Sequence, residues 1–219
     1  MEPQFVVVLG GSPPHPGVVA HLAEDRFVIA ADSGLDHARA LGLAVDLVVG
    51  DLDSVTPEAL AAATGAGVPV ERHPSAKDAI DAELAVDAAL ARGARRLVVV
   101  SGGGDRLDHV LAGHLVLAHP RLAGLDVQAW AGPAWIRALQ GPAVTPVDGP
   151  TGAYVSLVPI HGRADGVTTR GLRFPLFGEP LLPGSSRGIS NELLGEPACV
   201  AVQHGALLVI VPHALGGGS

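Results

Sequence analysis

Short runs of consecutive apolar residues alternate with Ala/Leu-rich stretches over residues 1–140 of the chain. The runs Phe5–Leu9, Phe27–Ala31, Leu47–Val49, Val68–Glu71, Leu97–Val100 and Val127–Trp130 predict strands. Nearly all are apolar at every position, the pattern of parallel strands covered on both faces. Between them, Val18–Ala23, Leu35–Leu41, Pro57–Ala63, Ala79–Arg92 and Val110–Ala118 predict helices. Thr56 ahead of Pro57 is a cap followed by a proline at the first helical position, and Gly93 after Arg92 is a matching stop. This rhythm predicts a βαβ series, hence an α/β domain with an open, Rossmann-like, mostly parallel sheet.

The texture changes after Gly141. Prolines 142, 146, 150, 159, 175, 180, 183 and 197 punctuate short runs such as Tyr154–Val158, Val167–Thr169, Cys199–Val202 and Leu207–Val211. No helix-length period survives there, so residues 141–219 predict a small all-β domain, an antiparallel sandwich or barrel. The change of domain is expected near Gln140–Gly149.

Composition narrows the chemistry. Apolar residues make up 48% and charged residues 16% of the 219, which is the composition of a folded chain with a core. A formal net charge of −8 argues against nucleic acid or an anionic membrane as the main partner. Cys199 is the single cysteine, so a reducing compartment fits. Met1-Glu2-Pro3-Gln4 lacks the basic start of a signal peptide, and no uncharged run reaches membrane-spanning length. A cytoplasmic protein is expected.

The predicted strand Leu47–Val49 runs into Gly50-Asp51-Leu52-Asp53-Ser54. Carboxylates at i and i+2 leaving a buried strand suit a hard divalent cation, because Mg²⁺ takes oxygen ligands and is usually shared with substrate phosphates. An isolated Asp-x-Asp also serves as a simple cap or turn. Recurrence weighs against that reading. Lys77-Asp78-Ala79-Ile80-Asp81 puts two acids on the first turn of a helix, and favourable placement near the helix dipole accounts for the acids but not for Lys77. Gly102-Gly103-Gly104-Asp105-Arg106-Leu107-Asp108-His109 follows another strand and offers open backbone N–H groups, a cationic clamp and a further carboxylate. His109 is read as a cap or orienting group. No Gly-x-Ser-x-Gly elbow, Walker lysine motif or zinc spacing appears.

Taken in order, these segments resemble the thiamine pyrophosphokinase (thiamin diphosphokinase) family over nearly the whole chain. The family's Asp-Gly-Gly turn appears as Asp32-Ser33-Gly34, its Gly-Asp-x-Asp-Ser turn as Gly50–Ser54, its Lys-Asp-x-Thr-Asp helix start as Lys77–Asp81, and its Gly-Gly-Arg-x-Asp-His loop as Gly103–His109. Gly171–Leu176 and Ser190-Asn191-Glu192 resemble its Gly-Leu-Lys-Tyr-Pro-Leu and Ser-Asn-Glu segments. The chain departs from the family at Ser33, Asp36, Ile80, Asp105 and Ala134.

The resemblance implies transfer of a diphosphoryl group from ATP to the hydroxyl of thiamine, giving thiamine diphosphate and AMP. It implies Mg²⁺ held by Asp51, Asp53 and Asp81, with Asp78 and Asp108 in support, and phosphates met by Lys77 and Arg106. Asp32, Gly50, Ser54, Asp78 and Gly103 would surround ATP, while Ser190 and Asn191 would contact thiamine. Asp81 or Asp108 would accept the hydroxyl proton. It also implies a homodimer with the active site at the subunit interface, residues 1–140 carrying ATP and Mg²⁺ and 141–219 thiamine. An Asp-x-Asp turn on an α/β sheet equally suits a diphosphokinase for a pterin-type alcohol or a sugar-nucleotide transferase. A non-catalytic nucleotide or thiamine sensor is a third reading, against which the five acidic positions count.

Overall fold

The computed structural model describes residues 2–74, 78–104 and 106–216. The chain divides into two compact units, Met1–Val116 with Ala129–Gly132, and Leu117–Gln128 with Pro133–Ser219. Strands dominate, and their pairing is mixed, parallel in the first unit and antiparallel in the second.

In the first unit, β1 (Gln4–Val8), β2 (Arg26–Ala31), β3 (Leu47–Gly50), β4 (Val70–Arg72) and β5 (Arg96–Ser101) lie in the order β4-β3-β2-β1-β5, all neighbours parallel. Every residue of β1 and β3 is buried, which is why those runs carry no polar alternation. Helices α1 (Gly34–Ala40), α2 (Pro57–Gly65), α3 (Asp81–Ala91) and α4 (Leu107–Val116) fill the connections. The hydroxyl of Thr56 accepts from Ala59 N at the start of α2, as its cap position predicts. The helix expected at Val18–Ala23 is instead a short 3₁₀ helix, Pro16–His21, capped by the His15 ring through Gly17 N. Short connectors of this kind commonly take 3₁₀ geometry.

The chain steps from β1 outward through β2, β3 and β4, then returns to place β5 on the other flank of β1. Ligands of open α/β sheets bind beyond the carboxyl ends of strands at such a reversal. The two loops that leave β1 and β5 meet there. A Cβ on Gly102 would stand 2.1 Å from the Ser12 carbonyl oxygen. Close backbone approach, as much as any anion, therefore explains this glycine.

The second unit is antiparallel. After β6 (Asp126–Ala131), β7 (Ala134–Gln140), β8 (Ala143–Val147), β9 (Tyr154–Arg170), β12 (Ala198–Val202) and β13 (His204–Val211) run in the order β7-β13-β9-β12-β8. The short β10 (Phe177–Leu181) and β11 (Asn191–Glu192) also pair with β9. β9 joins two segments that the sequence pattern presents separately. Its first part pairs with β13 and its last residues with β12, while His161 and Gly162 take positive φ between them. Leu157, Val167, Leu172, Leu176, Leu181, Val200, Leu207 and Val209 form the core of this unit. Among the described residues no helix is long and apolar enough to cross a membrane.

Replacing Gly102 with Ala is expected to cost about 2 kcal/mol or more, because the added methyl meets backbone rather than a side chain that can turn aside. Urea unfolding of the variant against the native protein measures it.

Candidate active site

Leu52 organises the acidic turn after β3. It is 8% exposed and packs with Ala30, Leu35, Val48, Val55 and Ala59 under α1 and α2. With that side chain driven into the core, Asp51 and Asp53 on either side are left half-buried and exposed. Such an alternation places two carboxylates on the outer side of one bend. Leu52 pays for this with a left-handed backbone, φ 68°, which a branched side chain adopts only when its surroundings hold it there.

The hold comes from Asp32, at the end of β2. Its Oδ1 accepts from Leu52 N at 2.8 Å. Asp32 is itself buried and has φ 49°. A Cβ on Gly50 would lie 2.2 Å from the same oxygen, and Gly50 has φ 145°, so only glycine fits between β3 and this carboxylate. The other end of the turn is tied four residues further along the β2–α1 segment. Asp36 accepts from Thr56 N at 3.1 Å and from the Thr56 hydroxyl. Asp51 Oδ1 accepts from Asp53 N at 3.2 Å within the turn.

One carboxylate oxygen each from Asp32, Asp51 and Asp53 lies within 4.8 Å of the others. Asp81, the first residue of α3, hydrogen-bonds to the Asp32 side chain and so joins the group. Burial pushes the Asp32 carboxyl up to about 6, against the pull of the Leu52 N–H, and the nearby Asp81 and Asp51 charges push it further. Four acids in such proximity suit a hard cation, whose charge would offset both the burial and the repulsion.

The remaining acidic positions are elsewhere. Asp78 is exposed just ahead of α3. Asp108 pairs with Arg106 at 2.6 Å, both side chains about two-thirds exposed, and the guanidinium holds that carboxyl below its usual range. Gly103 and Ser54 are exposed in their turns. Lys77 and Asp105 lie outside the described residues. The family resemblance implies Asp51, Asp53 and Asp81 for the ion and Asp32 as a nucleotide contact. The place of Asp32 among these carboxylates is not part of that expectation. The only sequence signal for it is that Asp32, like Asp51, ends an apolar strand run.

A separate cavity of about 440 Å³ opens in the second unit, lined by Phe174, Leu176, Ser185, Arg187, Ile189 and Asn191 among others. Arg187 is locked in a salt bridge to Glu179 on β10 at 2.8 Å. Ser190 beside the cavity is exposed with φ 56°, and its N–H donates to the Ser156 hydroxyl. The Asn191 side chain bonds to Phe174 and Glu192 backbone groups.

Residues 19–128, half of the chain and the stretch that holds the acidic cluster, match the family described as thiamin pyrophosphokinase, catalytic domain. The chain belongs to the thiamin pyrophosphokinase family. Residues 144–207, which hold the second cavity, match that family's vitamin B1 binding domain. Thiamin pyrophosphokinases are transferases of the kinase type, and this one diphosphorylates thiamine. The fold is similar to the thiamine pyrophosphokinase from Bacillus subtilis, at 24% identity and TM-score 0.82, covering 95% of this chain and 98% of that one. A thiamin pyrophosphokinase family protein from Enterococcus faecalis matches at 25% identity and TM-score 0.76, covering 94% and 97%. The Candida albicans thiamin pyrophosphokinase, at 14% identity, still gives a TM-score of 0.76 over 95% and 88%. No curated protein sequence gives a significant match.

The raised Asp32 carboxyl sets the sign of a pH effect. Its folded value of about 6 exceeds the ordinary 3.8 of an aspartate, so the fold holds the proton more tightly than the unfolded chain does. Stability of the metal-free protein should therefore fall as pH rises from about 4 to about 6, then level off. Asp32→Asn keeps an acceptor for Leu52 N and lacks the penalty. In chelator at pH 8 it is expected to be more stable than the native protein by about 1–3 kcal/mol, with the gap closing toward pH 4. Thermal melts at the two pH values check this.

Proposed function

We propose that the acidic cluster carries the diphosphoryl transfer itself, from ATP to the hydroxyl of thiamine, with release of AMP. The observation that supports this reading is the convergence of Asp32, Asp51 and Asp53, joined by Asp81. Mg²⁺ is assigned to Asp51, Asp53 and Asp81, with Asp78 and Asp108 in support. When bound, the ion supplies charge neutralisation at the phosphate oxygens.

The chain's own residues do the rest by positioning and electrostatics. Lys77 and Arg106 meet the phosphates and offset charge on the departing AMP. The Asp108 carboxylate, paired with Arg106, aims that guanidinium. Asp32, Gly50, Ser54, Asp78 and Gly103 border the nucleotide, at the carboxyl ends of an open Rossmann-like sheet in a catalytic domain of residues 1–140. The thiamine hydroxyl attacks the β-phosphorus as the bond to the bridging oxygen breaks, and its proton passes to Asp81 or Asp108. The β-rich domain of residues 141–219, an antiparallel sandwich, offers thiamine Ser190 and the cavity that Asn191 helps to line. The enzyme works in the cytoplasm.

A homodimer with the active site at its interface is part of the same reading. Leu107, Leu111 and Leu115 support it. They recur every four residues on α4, at 70%, 57% and 47% exposure, and no residue of that helix is buried within the chain. An apolar stripe of this kind marks a surface that something covers.

Purified enzyme supplied with Mg-ATP and thiamine is expected to yield thiamine diphosphate and AMP in equal amounts. ADP with thiamine monophosphate would reject the reaction. Asp53→Asn is expected to lower turnover about a hundredfold or more while the melting temperature holds or rises. Light scattering should give twice the chain mass for the native enzyme and the single-chain mass for Leu111→Lys.

A further inference from the structure

Asn191 is 4% exposed, and its amide makes three hydrogen bonds. Oδ1 accepts from Phe174 N and from Glu192 N, each at 2.9 Å, and Nδ2 donates to the Phe174 carbonyl oxygen at 2.7 Å. The amide group thus grips both backbone groups of Phe174. A side-chain amide offers two donors and one oxygen acceptor, so this oxygen is used twice and one of the two N–H bonds is occupied.

The setting explains the grip. The stretch around Leu172 runs antiparallel to the stretch around Leu193, with a bridge at that pair and backbone bonds from Arg173 N to Glu192 O and from Leu194 N to Gly171 O. Continuing the register puts Phe174 opposite Asn191. There the backbone of Asn191 is already committed to Val155 of β9, in the short strand β11. The side chain takes over the link. Pro175 follows at once and cannot donate a bond of its own. Phe174 is therefore held at the cavity's edge by one side chain, the residue 55% exposed and the Arg173 guanidinium 5.7 Å from its ring centre.

The geometry points to Asn191 as a positioning residue that acts through Phe174: it fixes this wall of the 440 Å³ cavity rather than binding the substrate with its amide. The inference rests on the reading that this cavity takes thiamine. A flat aromatic wall suits a planar heteroaromatic cation. Buried amides with satisfied partners are poor candidates for a new ligand bond, since the ligand would have to displace an existing one.

A double-mutant cycle tests it, read as Michaelis constants for thiamine and for ATP in Phe174→Ala, Asn191→Ala and the double variant. Each single change is expected to raise the thiamine constant about tenfold with the ATP constant unchanged, and the double variant should be no worse than Phe174→Ala alone. Multiplying effects, about a hundredfold in the double variant, would show that Asn191 touches the substrate independently and overturn the inference. So would an Asn191→Ala enzyme with an unaltered thiamine constant. Asn191→Asp is the second variant: it keeps the shape and both accepted bonds but sets an oxygen against Phe174 O where the donor stood, so the same rise in the thiamine constant is expected. Amide hydrogen exchange gives a readout that needs no turnover: Phe174 N–H should lose protection in Asn191→Ala, and unchanged protection contradicts the grip. Native enzyme that does not turn over thiamine would defeat the functional reading, leaving the exchange result to decide this one.

Discussion

A single buried hydrogen bond, from Leu52 N–H to the Asp32 carboxylate, carries the geometry of the acidic turn after β3. It joins the ends of two adjacent parallel strands and holds two non-glycine residues in left-handed backbone. Strain of this kind persists only where surrounding structure over-determines it, and costs on the order of 1–3 kcal/mol per residue. Here the Leu52 side chain supplies the compensation by burying itself with α1 and α2. The hydrophobic core thus sets the direction of two charged side chains that never enter it. Glycine at position 50 is a further consequence, since the Asp32 oxygen occupies the space of any Cβ.

Several parts of this arrangement are legible in the sequence for a physical reason. A buried parallel strand must be apolar throughout, so a run such as Leu47–Val49 breaking into Gly-Asp-x-Asp announces where the sheet meets its ligands. The helix at Pro57 is announced by its own cap. Asp32, by contrast, acts on Leu52 across 20 positions of chain, and Asn191 on Phe174 across 17. No local pattern encodes such pairs. The Asp36–Thr56 contact is hidden in the same way, and explains an aspartate that otherwise reads only as a departure from the family pattern.

The β-rich half is harder to read. β9 is one strand of 17 residues, yet Pro159, Gly162 and Gly166 break its run of apolar positions into pieces. Positive φ at His161, Gly162 and Gly166 lets the strand bend and serve different partners along its length. β7 escapes the sequence pattern because its polar and apolar residues mix around Arg137, which pairs with Asp126. The two halves use one device. In each, a buried polar side chain reaches across from a neighbouring segment and fixes the backbone of another stretch: Asp32 for the acidic turn, Asn191 for the cavity wall.

The central claim is that carboxylates from two separate turns share one divalent ion bearing the triphosphate. Anomalous diffraction from crystals grown with Mn²⁺ and a non-hydrolysable ATP analogue tests it most directly. A manganese peak within coordinating distance of Asp51, Asp53 and Asp81 oxygens, in contact with phosphate, is the predicted result. A fully occupied peak bound away from these three carboxylates would contradict the account.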